Sequence, residues 1–154
     1  MSAQANSRSA DVVVHGDARG FEQQIAVGRH NLVADEPSSA GGGDAGPDPY
    51  DYLLTGLGVC TSMTIGLYAR RHQLPLENVT VSLSHSRIYA MDCEECETKE
   101  GMLDRIDVEV ELTGSLSDAQ RAKLMEIAAK CPVHRTLTSE INIRLRTASK
   151  ASAS

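Results

Sequence analysis

The chain has 154 residues, 41% of them hydrophobic and 23% charged, which is one domain's worth and enough to bury a core without covalent staples. A net charge of -6 argues against a nucleic-acid partner, since phosphate binding requires clustered Lys and Arg. With aromatics at 3% and no Trp, the core must be built from Leu, Ile, Val, Ala and Met, and 4 cysteines are too few for a disulfide scaffold.

The opening MSAQANSRSADVVV holds no apolar run of signal-peptide length, and no uninterrupted apolar span of about 18 residues follows, so a cytoplasmic protein without membrane contact is expected. Residues 1–10 are expected to be disordered, residues 11–146 to form a single domain, and 147–154 to be a disordered tail. DVVVHGD, a turn at ARG and FEQQIAVG read as a hairpin, and RHNLVADE as a third strand. The segment from Pro37 to Pro49 is dense in Gly, Pro, Ser and Asp and reads as a loop feeding directly into a helix. That helix is predicted from near Tyr50 to His72, with Asp48 as N-cap, Pro49 at the first position, and Arg70, Arg71 and His72 complementing its C-terminal dipole.

Within the helix, Leu53, Leu57, Cys60, Thr64 and Leu67 recur at steps of three and four, which predicts Cys60 on the buried stripe. Gly56 and Gly58 each cost roughly 1 kcal/mol relative to Ala in a helix, so a close approach to the backbone is expected there. Two alternating runs follow, with Val79, Val81 and Leu83 on one face of the first and Ile106, Val108, Val110 and Leu112 on one face of the second. A second long helix starts at the N-cap candidate Ser117 and turns Leu124, Ile127 and Ala128 inward. Pro132 breaks it, PVHRTL makes a further short turn of helix, and EINIRLR is predicted to close the domain as a strand. The order βββ-α-ββ-α-β is that of an α+β fold.

Two cysteines fall at chemically suggestive places. Cys131 precedes Pro132, and so sits at the N-cap of the short helix, where unpaired N–H groups and the dipole lower a thiol pKa. Cys60 on an apolar helix face is read two ways: as a small inert core residue, or as a nucleophile activated by a cation or donor from elsewhere. Cys93 and Cys96 in MDCEECETKEG have C-x2-C spacing, which suits a redox pair or half of a zinc site. Completing a zinc site would require Asp92, His85 or ligands from another subunit, and the alternative is two idle thiols in an acidic loop. His30 and His134 are ambiguous: His134 beside Cys131 is placed to tune it, but such a histidine more often caps or packs.

GGGDAGPDPYDYLLTGLGVCTSMT together with AAKCPVHRTL, in this element order, resembles the osmotically inducible protein C and organic hydroperoxide resistance (OsmC/Ohr) superfamily over about residues 11–146. The GRHNLVADEP strand and CPVHRTL ending resemble a branch in which some members are joined to an α/β-hydrolase domain. The resemblance implies a peroxidase in which Cys60 attacks an organic hydroperoxide and becomes a sulfenic acid, and Cys131 resolves it as a disulfide. It also implies re-reduction by a small dithiol or lipoylated protein and an intertwined homodimer with exchanged N-terminal strands; no cofactor is expected and no metal is assigned, with the role of Cys93 and Cys96 left open. The superfamily's arginine maps onto Arg19, with Arg29 in reserve, to favour the thiolate and polarise the peroxide. The glutamate that pairs with that arginine in relatives falls on Tyr50 here, and Asp51 is its candidate replacement. Leu53, Leu57 and Met63 are pocket candidates for an alkyl or lipid hydroperoxide. The other reading is a non-catalytic OsmC-like domain that binds an apolar ligand or serves a hydrolase partner.

Overall fold

The computed structural model describes residues 10–148, so the ends expected to be disordered lie outside it except for residues 10, 147 and 148. The elements are β1 (Val13–Gly16), β2 (Gln23–Val27), β3 (His30–Ala34), α1 (Pro49–Arg71), β4 (Leu76–Tyr89), β5 (Met102–Gly114), α2 (Asp118–Ala128) and α3 (Pro132–Leu137). This is the α+β order the sequence pattern predicts, except at its end. Chain contacts divide the described residues into two compact units, one of residues 10–56 with Ser84–Asp107 and the other of Leu57–Leu83 with residues 108–148.

In the first unit β1, β2 and β3 form an antiparallel sheet in that order, with Val14 opposite Ile25 and Ile25 opposite Leu32. The loop after β3 is organised by one side chain. The buried Asp35 carboxylate accepts hydrogen bonds from the backbone N–H groups of Glu36 (2.8 Å), Gly43 (3.1 Å) and Ala45 (3.1 Å). The Ala45 bond does most to hold this carboxyl below its usual pKa, against the opposing effect of burial, with Glu36 and Gly43 adding to it. A side chain at Gly46 would run into the Val33 carbonyl, so the glycine there is a steric requirement. Helix α1 begins as predicted: Asp48 Oδ1 accepts from the Asp51 N–H at 2.8 Å, and Asp51 Oδ2 accepts from the Asp48 N–H at 3.0 Å. The Tyr52 hydroxyl donates to the Val33 carbonyl at 2.6 Å and ties the start of α1 to β3.

In the second unit Ile65 and Ala69 of α1, Leu112 of β5, and Leu124 and Ala128 of α2 form the core. The buried residues of α1 are Leu57, Gly58, Thr61, Ile65 and Ala69, so the stripe is rotated by one residue from the predicted one: Leu67 is exposed and Cys60 lies half-buried at its shoulder. Both stripes fit helical periodicity, and packing against β5 and α2 selects the one that carries Ile65. By length and composition alone α1 could span a bilayer, but this stripe is occupied by the core. The close approach expected at the helix glycines occurs at Gly58, where an added Cβ would lie 2.6 Å from Leu83 Cδ1, while Gly56 has open space. Helix α2 starts with a capping box between Ser117 and Gln120, and Arg121 ties it to the end of β5 through the carbonyls of Leu112 (2.7 Å) and Gly114 (3.2 Å). The predicted closing strand, residues 140–146, joins no ladder among the described residues. Its alternating Ile141, Ile143 and Leu145 are exposed, as expected of a strand-forming sequence that has no neighbouring edge to pair with.

Candidate active site

The second unit places Cys60 and Cys131 together. Both are free thiols, Cys60 half-buried on α1 and Cys131 with 0% exposure at the N-cap of α3. Pro132 supplies the first turn of α3, and Cys131 Sγ accepts the His134 N–H at 3.4 Å. Burial is the largest single influence on Cys131 and pushes its thiol up. Donors from the Cys60 thiol, the His134 N–H, the Thr61 hydroxyl and the Val133 N–H together outweigh it, and the thiol ends below its ordinary value. The Thr61 hydroxyl has one proton, which it gives to the Leu57 carbonyl at 2.8 Å, and it is placed to turn that proton toward Cys131. Cys60 and Cys131 are therefore a pair of free thiols in which negative charge is favoured on Cys131, with the Cys60 thiol among the groups that favour it.

Beside these groups lies a cleft of about 150 Å³ lined by Thr61, Val108, Val110, Met125, Ala128, Ala129 and His134. Its walls are largely apolar, with the Thr61 hydroxyl and the His134 ring as polar features. The pocket candidates read from the sequence lie elsewhere: Leu57 is buried in the core, Leu53 belongs to the other unit, and Met63 lines a separate groove with Gly66 and Arg70. Sequence reading missed Thr61, Val108 and Met125 as cleft residues. The four-residue step from Leu57 to Thr61 was the available signal for Thr61.

The remaining site candidates have local partners. Arg19 sits in the β1–β2 turn with its side chain 90% exposed, and its guanidinium grips Asp17 through Nε (2.9 Å) and Nη2 (2.6 Å). That hydrogen bond lowers the Asp17 pKa and raises that of Arg19. Arg29 lies in the β2–β3 turn after Gly28, not on a strand as expected. Asp51 caps α1. Tyr50 stacks on His85 with ring centroids 4.4 Å apart, and His85 Nε2 lies 2.9 Å from the Asp104 carboxylate. His85 is thus engaged by Asp104 instead of joining Cys93 and Cys96, which are joined to each other as a disulfide.

The family model described as OsmC-like protein matches residues 41–146. The chain belongs to the OsmC-like family. Solved structures with the same fold include an OsmC-like protein of Mycoplasma pneumoniae (TM-score 0.66, 19% identity, 85% of this chain and 88% of that one). The organic hydroperoxide resistance protein OsmC of Legionella pneumophila superposes with a TM-score of 0.61 at 20% identity over 86% of this chain and 90% of its own. The organic hydroperoxide resistance protein OhrB of Bacillus subtilis gives 0.58 at 16% identity over 85% and 91%. No curated protein sequence is significantly similar to this chain. At these identities the structures establish the fold, and this OsmC-like chain carries its cysteine pair between α1 and α3.

Proposed function

We propose that this OsmC-like protein is a thiol peroxidase for organic hydroperoxides, with Cys60 as the attacking thiol and Cys131 as the resolving one. The supporting observation is the pair of free thiols, with Cys131 at the N-cap of α3 accepting the His134 N–H and its pKa lowered with Cys60 among the causes. Cys60 becomes the nucleophile when its proton passes to the Cys131 thiolate. The Cys60 thiolate attacks the outer oxygen, the O–O bond breaks, and the departing alkoxide takes the proton from Cys131 to leave as the alcohol. Cys131, again a thiolate, attacks the sulfur of the Cys60 sulfenic acid and expels hydroxide as the disulfide forms. A small dithiol or lipoylated protein then returns both sulfurs to thiols by exchange. The apolar walls of the cleft suit an alkyl or lipid chain. The same reading takes the working form to be a homodimer with exchanged N-terminal strands, in which Arg19 leaves Asp17 to assist the thiolate.

Intact mass after one equivalent of cumene hydroperoxide tests the assignment. Wild type should lose two hydrogens as a disulfide that peptide mapping places between Cys60 and Cys131. Cys60→Ser should consume no peroxide, because a hydroxyl offers essentially no nucleophile at neutral pH. Cys131→Ser should gain oxygen on Cys60 and accumulate sulfenic or sulfinic acid. Arg19→Ala should slow the first oxidation. Equal peroxide consumption by wild type and Cys60→Ser would remove the peroxidase reading and leave an apolar-ligand domain in its place.

A further inference from the structure

The loop between β4 and β5 holds chemistry that the Cys60–Cys131 pair does not use. Its base is closed by the Ala90 N–H donating to the Gly101 carbonyl at 2.8 Å, with Gly101 at φ +79° making the return. Inside it the Cys93 N–H donates to the Ala90 carbonyl at 3.1 Å, and the Lys99 ammonium lashes across to the carbonyls of Cys93 (3.2 Å) and Glu94 (3.5 Å). Cys93 is buried, Cys96 is partly exposed, and the two sulfurs with a carboxylate oxygen of Glu95 lie within 4.8 Å of one another. These donors line an acidic cleft of about 460 Å³ together with Asp92, Asp104 and Asp107. Of the nearby carboxylates Asp104 is engaged by His85, at 2.9 Å, and Asp107 by Arg105, at 3.1 Å, and of the two glutamates on the C-x2-C turn Glu95 is the one whose oxygen joins both sulfurs.

We propose that the reduced loop is a binding site for a thiophilic divalent cation of the zinc class, with Cys93, Glu95 and Cys96 as three ligands and an open fourth position. Two thiolates and one carboxylate are a donor set that zinc accepts, and three protein ligands leave the tetrahedral corner open to water or a small ligand. With Zn–S near 2.3 Å, two sulfurs on one tetrahedral edge stand roughly 3.8 Å apart, a separation the turn reaches once its disulfide is opened. The disulfide is the oxidised form of the loop: a dithiol or phosphine supplies two electrons and is itself oxidised, two protons complete the thiols, and the cation then displaces those two protons to form two metal–sulfur bonds. The acidic lining draws the cation in, and the Lys99 ammonium offsets the charge of the thiolates. The site does not depend on the peroxidase reading, because it uses none of its residues.

Cobalt and zinc titrations of the phosphine-reduced full chain test the site. The reduced protein should bind one equivalent of Co²⁺ with a thiolate-to-metal charge-transfer band, and Zn²⁺ should displace it. The band should persist in Cys60→Ser with Cys131→Ser and disappear in Cys93→Ser, in Cys96→Ser and in the oxidised wild type. Glu95→Gln, a surface change that leaves both thiols in place, should weaken zinc binding by at least about tenfold, the smallest loss that removing even an outer partner of a metal ligand causes. Absence of the band in reduced wild type, its survival in Cys93→Ser, or its loss in Cys60→Ser with Cys131→Ser would each overturn the proposal, as would unchanged affinity in Glu95→Gln.

Discussion

At the residue scale the decisive quantity is where the charge of the dithiol sits. Cys131 is buried yet ionises below its ordinary thiol value, because four donors oppose the effect of burial. Ultraviolet thiolate absorbance should therefore show an early ionisation step that is lost in Cys131→Ser and moves upward in Cys60→Ala, which removes one donor. A midpoint unchanged by Cys60→Ala would show that Cys60 does not donate. The same shift sets a pH dependence of stability. A thiol whose folded pKa is depressed contributes stability above its unfolded pKa, and that contribution fades as pH falls through the folded value. Cys131→Ser should accordingly cost more stability at alkaline pH than at neutral pH or below, measured by urea unfolding across the range. The capping position of Cys131 was legible because Pro132 marks the start of α3. Thr61 was not, since its role depends on a one-residue rotation of α1 that only packing decides. Asp35 was hidden too: an aspartate before a Gly-rich loop resembles any other until the chain folds three N–H groups onto it.

At the scale of elements, α2 is the lever that sets the site, because its last turn carries Ala128 and the chain then passes directly to Cys131. Leu124 is fully buried in the core with Ile65 and Leu112, and Leu124→Ala should cost about 2–5 kcal/mol through lost burial and the cavity left behind. Ser117→Ala removes only a cap and should cost about 1 kcal/mol. Chemical denaturation with an unchanged slope would confirm both as changes in native stability, and equal effects would mean that Leu124 is not a core anchor. The start of each helix was readable in advance because capping chemistry is local: Asp48 with Pro49, Ser117 with Gln120, and Cys131 with Pro132 each announce a boundary within four residues. The strands of the first sheet and the β4–β5 pair were readable from period-two alternation. Residues 140–146 show the limit of that signal. Alternation specifies a segment able to enter a sheet, but which edge it pairs with is not encoded in the segment itself.

For the whole molecule, the exposed apolar surface is the feature that one chain leaves unexplained. Val13 and Val14 on the edge strand β1 are 55% and 58% exposed, and Ile143 and Leu145 on the unpaired segment reach 84% and 99%. Scattered apolar residues on a surface are ordinary, but an edge strand and a strand-forming segment that both present Val, Ile and Leu to water invite strand addition from another chain. A second copy offers the same two features in return, and two-fold pairing satisfies both at once without leaving an open edge that would propagate into fibres. The chain should therefore run as a dimer in light scattering at micromolar concentration. Replacing Ile143 and Leu145 together with Lys places charge where the second chain must pack, so this variant should shift toward monomer on dilution while the core, which contains neither residue, keeps its helical circular dichroism. The test also reaches the chemistry: if Arg19 serves the cysteines of a second subunit, hydroperoxide turnover should fall with dimer fraction in this variant, while Cys131 titration, set inside one chain, stays where it was. A wild-type monomer at these concentrations, or turnover independent of dimer fraction, would confine the site to a single chain and leave Arg19 with Asp17.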